Sequence, residues 1–180
     1  EFIEILHIIE SYVFRRAICG IPTNSLNETF LTLGKEIDKT DYLDSVKAAF
    51  ILKTSYRKFP TDSELRQELQ VRDVYNFRSR NYLLDKLENH NRKEHVKIDE
   101  YTIEHIMPQN KNLNKEWQQV LGENWELIHE KYLHTIGNLT LTGYNPELSD
   151  RSFIEKRVMV GGFRDSPIRL NKSLATLSSW

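Results

Sequence analysis

The sequence predicts a mainly α protein with a small α+β unit, a helical bundle followed by a two-stranded hairpin with a helix beneath it. Three observations predict it. Apolar residues recur at helical spacing through the first half, two short alternating runs appear at 101–106 and 139–142, and a polar, charged stretch separates the halves. At 180 residues, 39% of them hydrophobic, the chain has material for one large domain or two small ones.

Phe2, Ile5, Leu6, Ile9, Tyr12, Val13 and Ala17 form one apolar stripe, and Gly20 and Pro22 end that helix. Ser25-Leu-Asn-Glu28 has the form of a capping box and opens a second helix to about Asp38; Asp41 to Ser55 reads as a third. Thr61 caps a further helix with Glu64 three residues on, and helical pattern resumes from Val74 through Leu87. The composition turns polar and charged over Asn89 to Lys97, which divides the chain into a helical scaffold or clamp region, 1–98, and a second domain, 99–180.

In that second domain 101–106 reads as a strand. Glu116–Leu121 and Trp125–Leu133 read as short helices, with Trp117 and Trp125 packing this insertion onto the hairpin. Leu139–Thr142 is a second strand, and Ser149 caps a helix that runs to about Val160 and stops at Gly161-Gly162. Helical pattern returns from Asn171 toward Trp180 without a cap. Glu1 likewise opens straight into a helix, so the sequence reads as a piece of a longer chain.

Lysine and arginine (25) balance aspartate and glutamate (26), so bulk charge does not advertise nucleic acid. Local patches carry any such contact. Arg72 to Lys97 holds seven basic residues against four acidic ones, with Tyr75, Phe77 and Tyr82 interleaved at a spacing that favours core over base stacking. Arg151, Arg157, Arg164 and Arg169 are a second patch. No apolar run approaches the ~20 residues of a membrane span, and the chain reads as cytoplasmic. Cys19 is the only cysteine, which excludes an intrachain disulfide and a cysteine zinc cluster. The Asn138-Leu-Thr140 glycosylation match stands without a secretory signal and is read as chance.

The chemistry is concentrated in Tyr101-Thr-Ile-Glu-His-Ile-Met-Pro-Gln109 and His134-Thr-Ile-Gly-Asn-Leu-Thr-Leu-Thr-Gly-Tyr-Asn145. Hydrolysing a phosphodiester needs a deprotonated water, a screened phosphate and a stabilised leaving oxygen. His105 can be an unprotonated base at neutral pH. Glu104 and Asn145 offer the oxygen donors that Mg²⁺ prefers. Adjacent residues on a regular strand point to opposite faces, so the strand must twist or end at Glu104-His105, and Pro108 supports an end. A zinc site from His105, His129 and His134 is disfavoured, because five-residue spacing does not put His129 and His134 on one helical face. His134 reads as ordering the turn before Asn138.

Taken together, Ile103-Glu-His-Ile-Met-Pro-Gln109, Ile136-Gly-Asn-Leu-Thr-Leu141, Asn145, Leu148-Ser149 and Phe153 with Lys156 resemble the HNH-type nuclease domain of GmrSD-like, modification-dependent restriction proteins, of the His-Me finger (ββα-metal) superfamily. Glu10-Ser-Tyr-Val-Phe-Arg-Arg-Ala-Ile-Cys-Gly20 and Phe59-Pro-Thr-Asp62 resemble the segment that precedes that nuclease. The resemblance implies His105 as general base, Glu104 and Asn145 as ligands of Mg²⁺ or Mn²⁺, and Asn138 as the residue that orients the loop or the base. HNH nucleases more often carry aspartate where this chain has Glu104. Lys156, Arg151 and Arg157 are the expected DNA contacts. The implied partners are double-stranded DNA, modified DNA included, and an N-terminal nucleotide-dependent regulatory domain of the same protein. Two other functions stay open beside this metal-dependent endonuclease: a degenerate nuclease-like module that only binds DNA or protein, and an RNase of the same fold.

Overall fold

The computed structural model describes all 180 residues, and they pack as two compact units, Glu1–Leu69 and Gln70–Trp180. The first is helical. α1 (Phe2–Ile18), α2 (Asn24–Glu36) and α3 (Tyr42–Ile51) enclose Tyr12, Leu33, Val46, Ala49 and Phe50. A 3₁₀ turn at Ser55–Arg57 leads to α4 (Asp62–Val71). The expected capping box opens α4: Thr61 N donates to Glu64 Oε2 at 2.9 Å and Glu64 N to Thr61 Oγ1 at 3.3 Å. The one expected at Ser25 does not form. Ser25 lies inside α2, where its hydroxyl accepts from the buried Arg16 guanidinium (2.7 Å) and donates to the Tyr56 carbonyl (2.9 Å).

The second unit holds the hairpin. β1 (Thr102–His105) and β2 (Leu139–Thr142) pair antiparallel, with Thr102 opposite Thr142 and His105 opposite Leu139. Between them lie α6 (Lys115–Leu121) and α7 (Trp125–Tyr132), and before them α5 (Arg80–Asn89). Helix is confined to α5 where the sequence pattern suggested it from Val74. Residues 74–79 leave the helical path because Val74 N and Tyr75 N donate to the His134 carbonyl, at 2.8 and 3.2 Å.

Two apolar clusters brace the hairpin. One gathers Leu84 of α5, Ile98, Leu141 and Ile168; the other gathers Ile106, Met107, Trp117, Leu148, Phe153 and Phe163. Trp117 is buried and its indole donates to the Arg151 carbonyl at 3.0 Å, so the insertion is packed down as its tryptophans suggested. The polar stretch after α5 falls inside this unit. Asn89 spans it, with Val96 N donating to Oδ1 (2.8 Å) and Nδ2 donating to the Val96 carbonyl (3.0 Å). Buried Glu88 accepts from Arg169 N and Leu170 N at 2.8 and 3.0 Å, tying α5 to the C-terminal segment.

The single helix expected from Ser149 to Val160 is two short ones, α8 (Asn145–Leu148) and α9 (Phe153–Val158). Ser149 adopts φ 40° and breaks the path; Ser152 is the cap, in a full capping box with Glu155. After α9 the chain turns at Gly161 (φ +75°), and a Cβ at Gly162 would lie 2.3 Å from the Lys156 carbonyl. A last short helix, α10 (Asn171–Leu174), replaces the longer C-terminal pattern. No helix is long and apolar enough to cross a membrane.

Candidate active site

β1 takes in both Glu104 and His105, opposite Thr140 and Leu139, and ends at His105, three residues before Pro108. Glu104 and His105 then meet different neighbours. Glu104 is 3% exposed and its Oε1 accepts from Lys156 Nζ of α9 at 2.6 Å. Lys156, expected at a phosphate, is fully buried; its Nζ also donates to the His105 carbonyl at 2.9 Å, which pins α9 to the end of β1. Burial pushes the Glu104 carboxyl up from the usual carboxylate range, against the pull of Lys156. Burial likewise pushes the Lys156 amine down, against the pull of Glu104. One proton moved along the 2.6 Å bond interconverts the ion pair and its neutral form, so the net charge of the pair is zero either way.

The His105 ring, 7% exposed, lies among His134, Gln109 and Tyr75. Its Nε2 is 3.1 Å from His134 Nδ1 and 3.3 Å from Gln109 Nε2. The Tyr75 ring meets His105 edge-on at 4.5 Å between centroids and stacks on His134 at 5.2 Å and 13°. Burial first, then the neighbouring His134 and Lys156, lowers the His105 pKa to about 4. The imidazole is therefore neutral at physiological pH.

Asn138 and Asn145 serve the backbone around this pair. Asn138 is fully buried: its Oδ1 accepts from Met107 N (2.7 Å), and its Nδ2 donates to the Met107 and Leu133 carbonyls (3.0 and 2.9 Å). It orients the loop that leaves His105. Asn145 donates Nδ2 to the Ile103 carbonyl at 2.8 Å, which leaves its Oδ1 as the uncommitted amide atom beside β1. Of the other expected contacts, Arg151 is exposed and donates to the Glu147 carbonyl (2.9 Å), while Arg157 donates to the Leu177 carbonyl. His129 is not part of the cluster; it donates to the Pro108 carbonyl at 2.8 Å.

The donor chemistry fits a hard cation. Glu104 keeps a second carboxylate oxygen outside its bond to Lys156, and Asn145 is bonded to the carbonyl of Ile103, the residue before Glu104; Mg²⁺ would take oxygens of this kind and complete its shell with water and substrate oxygens. A cation held by Glu104 would share the carboxylate with the Lys156 ammonium. His105 and His134 are nitrogen donors and suit Mg²⁺ poorly.

Sequence reasoning missed His134, Gln109 and Tyr75 as neighbours of His105. A signal existed for His134, since pairing of His105 with Leu139 forces the residues just before β2 toward His105. For Tyr75 there was none. Its place depends on backbone bonds to a carbonyl some sixty residues away.

Fold and site together define a class: a mainly helical chain with a histidine and carboxylate site built on the end of a two-stranded hairpin. Residues 59–180 match the family model described as GmrSD restriction endonucleases, C-terminal domain. The chain belongs to that family, and through it to the restriction nucleases. Neither curated proteins nor solved structures gave a match.

Proposed function

We propose that residues 99–180 form a His-Me finger (ββα-metal) core of HNH type that hydrolyses phosphodiester bonds of double-stranded DNA, with His105 as general base. The observation that carries this reading is the buried His105 imidazole fixed against His134 where β1 ends, one residue after the buried Glu104. His105 takes a proton from the attacking water. A pKa near 4 in the free protein makes a weak base, and an anionic phosphate close by raises it toward neutrality. Asn138 holds the loop after His105, and Lys156 holds Glu104 and the His105 carbonyl in place. Glu104 and Asn145 would hold Mg²⁺ or Mn²⁺, which when bound screens the phosphate and the leaving 3′ oxygen. Arg151 and Arg157 lie on the α8–α9 segment as candidate phosphate contacts.

In this reading the domain is the cleavage module of a cytoplasmic antiviral restriction protein, governed by a nucleotide-dependent domain that senses modified DNA. Residues 1–98 serve as its scaffold or clamp. Engagement of Glu104 by Lys156 favours a second reading, a nuclease-like module that binds DNA or protein without cutting. Calorimetric titration with Mg²⁺ and Mn²⁺ separates the two. The nuclease binds either ion and weakens about 10- to 100-fold on Asn145→Ala, the loss usual for a removed supporting ligand; a binding module shows no ion uptake in either form.

A further inference from the structure

We propose that His134 is the positioning residue for the base, accepting the His105 Nε2–H in its Nδ1 lone pair and so leaving His105 Nδ1 free to take the proton from water. This rests on the reading of His105 as general base. A neutral imidazole carries one N–H, and only Nε2 of His105 has protein partners, His134 Nδ1 at 3.1 Å and the Gln109 amide at 3.3 Å. Were Nε2 the basic atom, two donors would cap its lone pair and no water could reach it. With the proton on Nε2, His134 accepts it, the Gln109 side chain turned by 180° presents its oxygen to the same proton, and Nδ1 has no protein partner. Transfer is balanced. One water O–H bond breaks, one N–H bond forms at His105 Nδ1, and the electron pair stays on the oxygen that attacks phosphorus.

His134 is itself fixed at several points. Its ring stacks on Tyr75, and its carbonyl accepts from Val74 N and Tyr75 N. Tyr75 is held in turn, because the Arg80 guanidinium lies 5.2 Å over its ring and donates to its carbonyl. The acceptor is thus set by the Asp73–Arg80 loop, and a base oriented by a third, immobilised group is the arrangement hydrolytic sites use. Asp73 sits on the same loop as the acidic neighbour of both histidines.

The test uses the whole chain with supercoiled plasmid and Mg²⁺, comparing His134→Asn, His134→Phe and His105→Ala at matched circular dichroism. Phenylalanine keeps the stack on Tyr75 and removes the acceptor; asparagine keeps an acceptor. The expected result is a kcat about 10- to 100-fold lower for His134→Phe with KM unchanged, largely restored in His134→Asn. In ¹⁵N-histidine spectra, His105 carries a slowly exchanging proton on Nε2 in the wild type and His134→Asn, and loses that protection in His134→Phe. Full activity of His134→Phe, or a wild-type proton on Nδ1, overturns the proposal. Cleavage that survives His105→Ala while the Nε2 proton is in place overturns the base reading instead and leaves the histidine pair an architectural bond.

Discussion

Replacing Lys156 by methionine keeps most of its volume and removes the only cation on Glu104. The carboxylate is 3% exposed and the lysine 0%, so the variant strands a charge inside the protein. Breaking a buried pair from one side costs about 3–5 kcal/mol, and the His105 carbonyl loses its 2.9 Å donor for about 1 kcal/mol more. Against total stabilities of about 5–15 kcal/mol, the variant folds with a much lower urea midpoint. The penalty depends on pH. With its folded pKa raised further above the ordinary 4.5, Glu104 destabilises most where it must ionise, so the loss relative to wild type is full in weak alkali and shrinks as pH falls toward 4.5. A Glu104→Leu/Lys156→Met double variant, with both charges gone, recovers to within about 2 kcal/mol of wild type. Urea unfolding of the two variants and the wild type at both ends of that range measures all of this. A Lys156→Met cost below about 1 kcal/mol, or a cost independent of pH, would refute a buried pair.

Other consequences are as concrete. Asn138→Ala removes three hydrogen bonds of a fully buried side chain at the loop after β1 and should cost about 3–4 kcal/mol; Asn138→Asp keeps the acceptor for Met107 N but sets a carboxylate oxygen against the Met107 and Leu133 carbonyls, so at neutral pH it costs at least as much. Chemical denaturation of both variants checks the order. His105 is depressed from 6.5 to about 4 in the folded state, so its contribution is complete above pH 6.5 and is lost as pH falls through 4. That amounts to about 3 kcal/mol over the window, and His105→Leu should flatten this part of the stability profile by the same amount.

Much of the fold is visible in local pattern. The stripe from Phe2 to Ala17 becomes α1, Thr61 and Glu64 cap α4, and Leu139–Thr142 is β2 residue for residue. Each of these is decided by neighbours within about one helical turn or by strict alternation. Errors arise where two local signals compete and a distant contact chooses. Ser25 and Ser149 both look like caps, yet Ser25 is drawn into α2 by the buried Arg16, and Ser149 gives way to Ser152 with its partner Glu155. The site divides the same way. The end of β1 falls at His105, close to where Pro108 suggested an end, while the burial of Lys156 on Glu104 joins residues 52 apart and no periodicity announces it. His134 is the intermediate case: its position followed from the strand register, and its function from the ring it faces.

Cleavage of supercoiled plasmid with Mg²⁺ or Mn²⁺, wild type beside His105→Ala, bears most directly on the central claim that this buried imidazole is the base of a nuclease. Nicked and linear products from the wild type alone, on duplex DNA in preference to RNA, are the predicted result. Equal cleavage by both proteins, or a His105→Ala variant that folds normally and cuts at the wild-type rate, would contradict it.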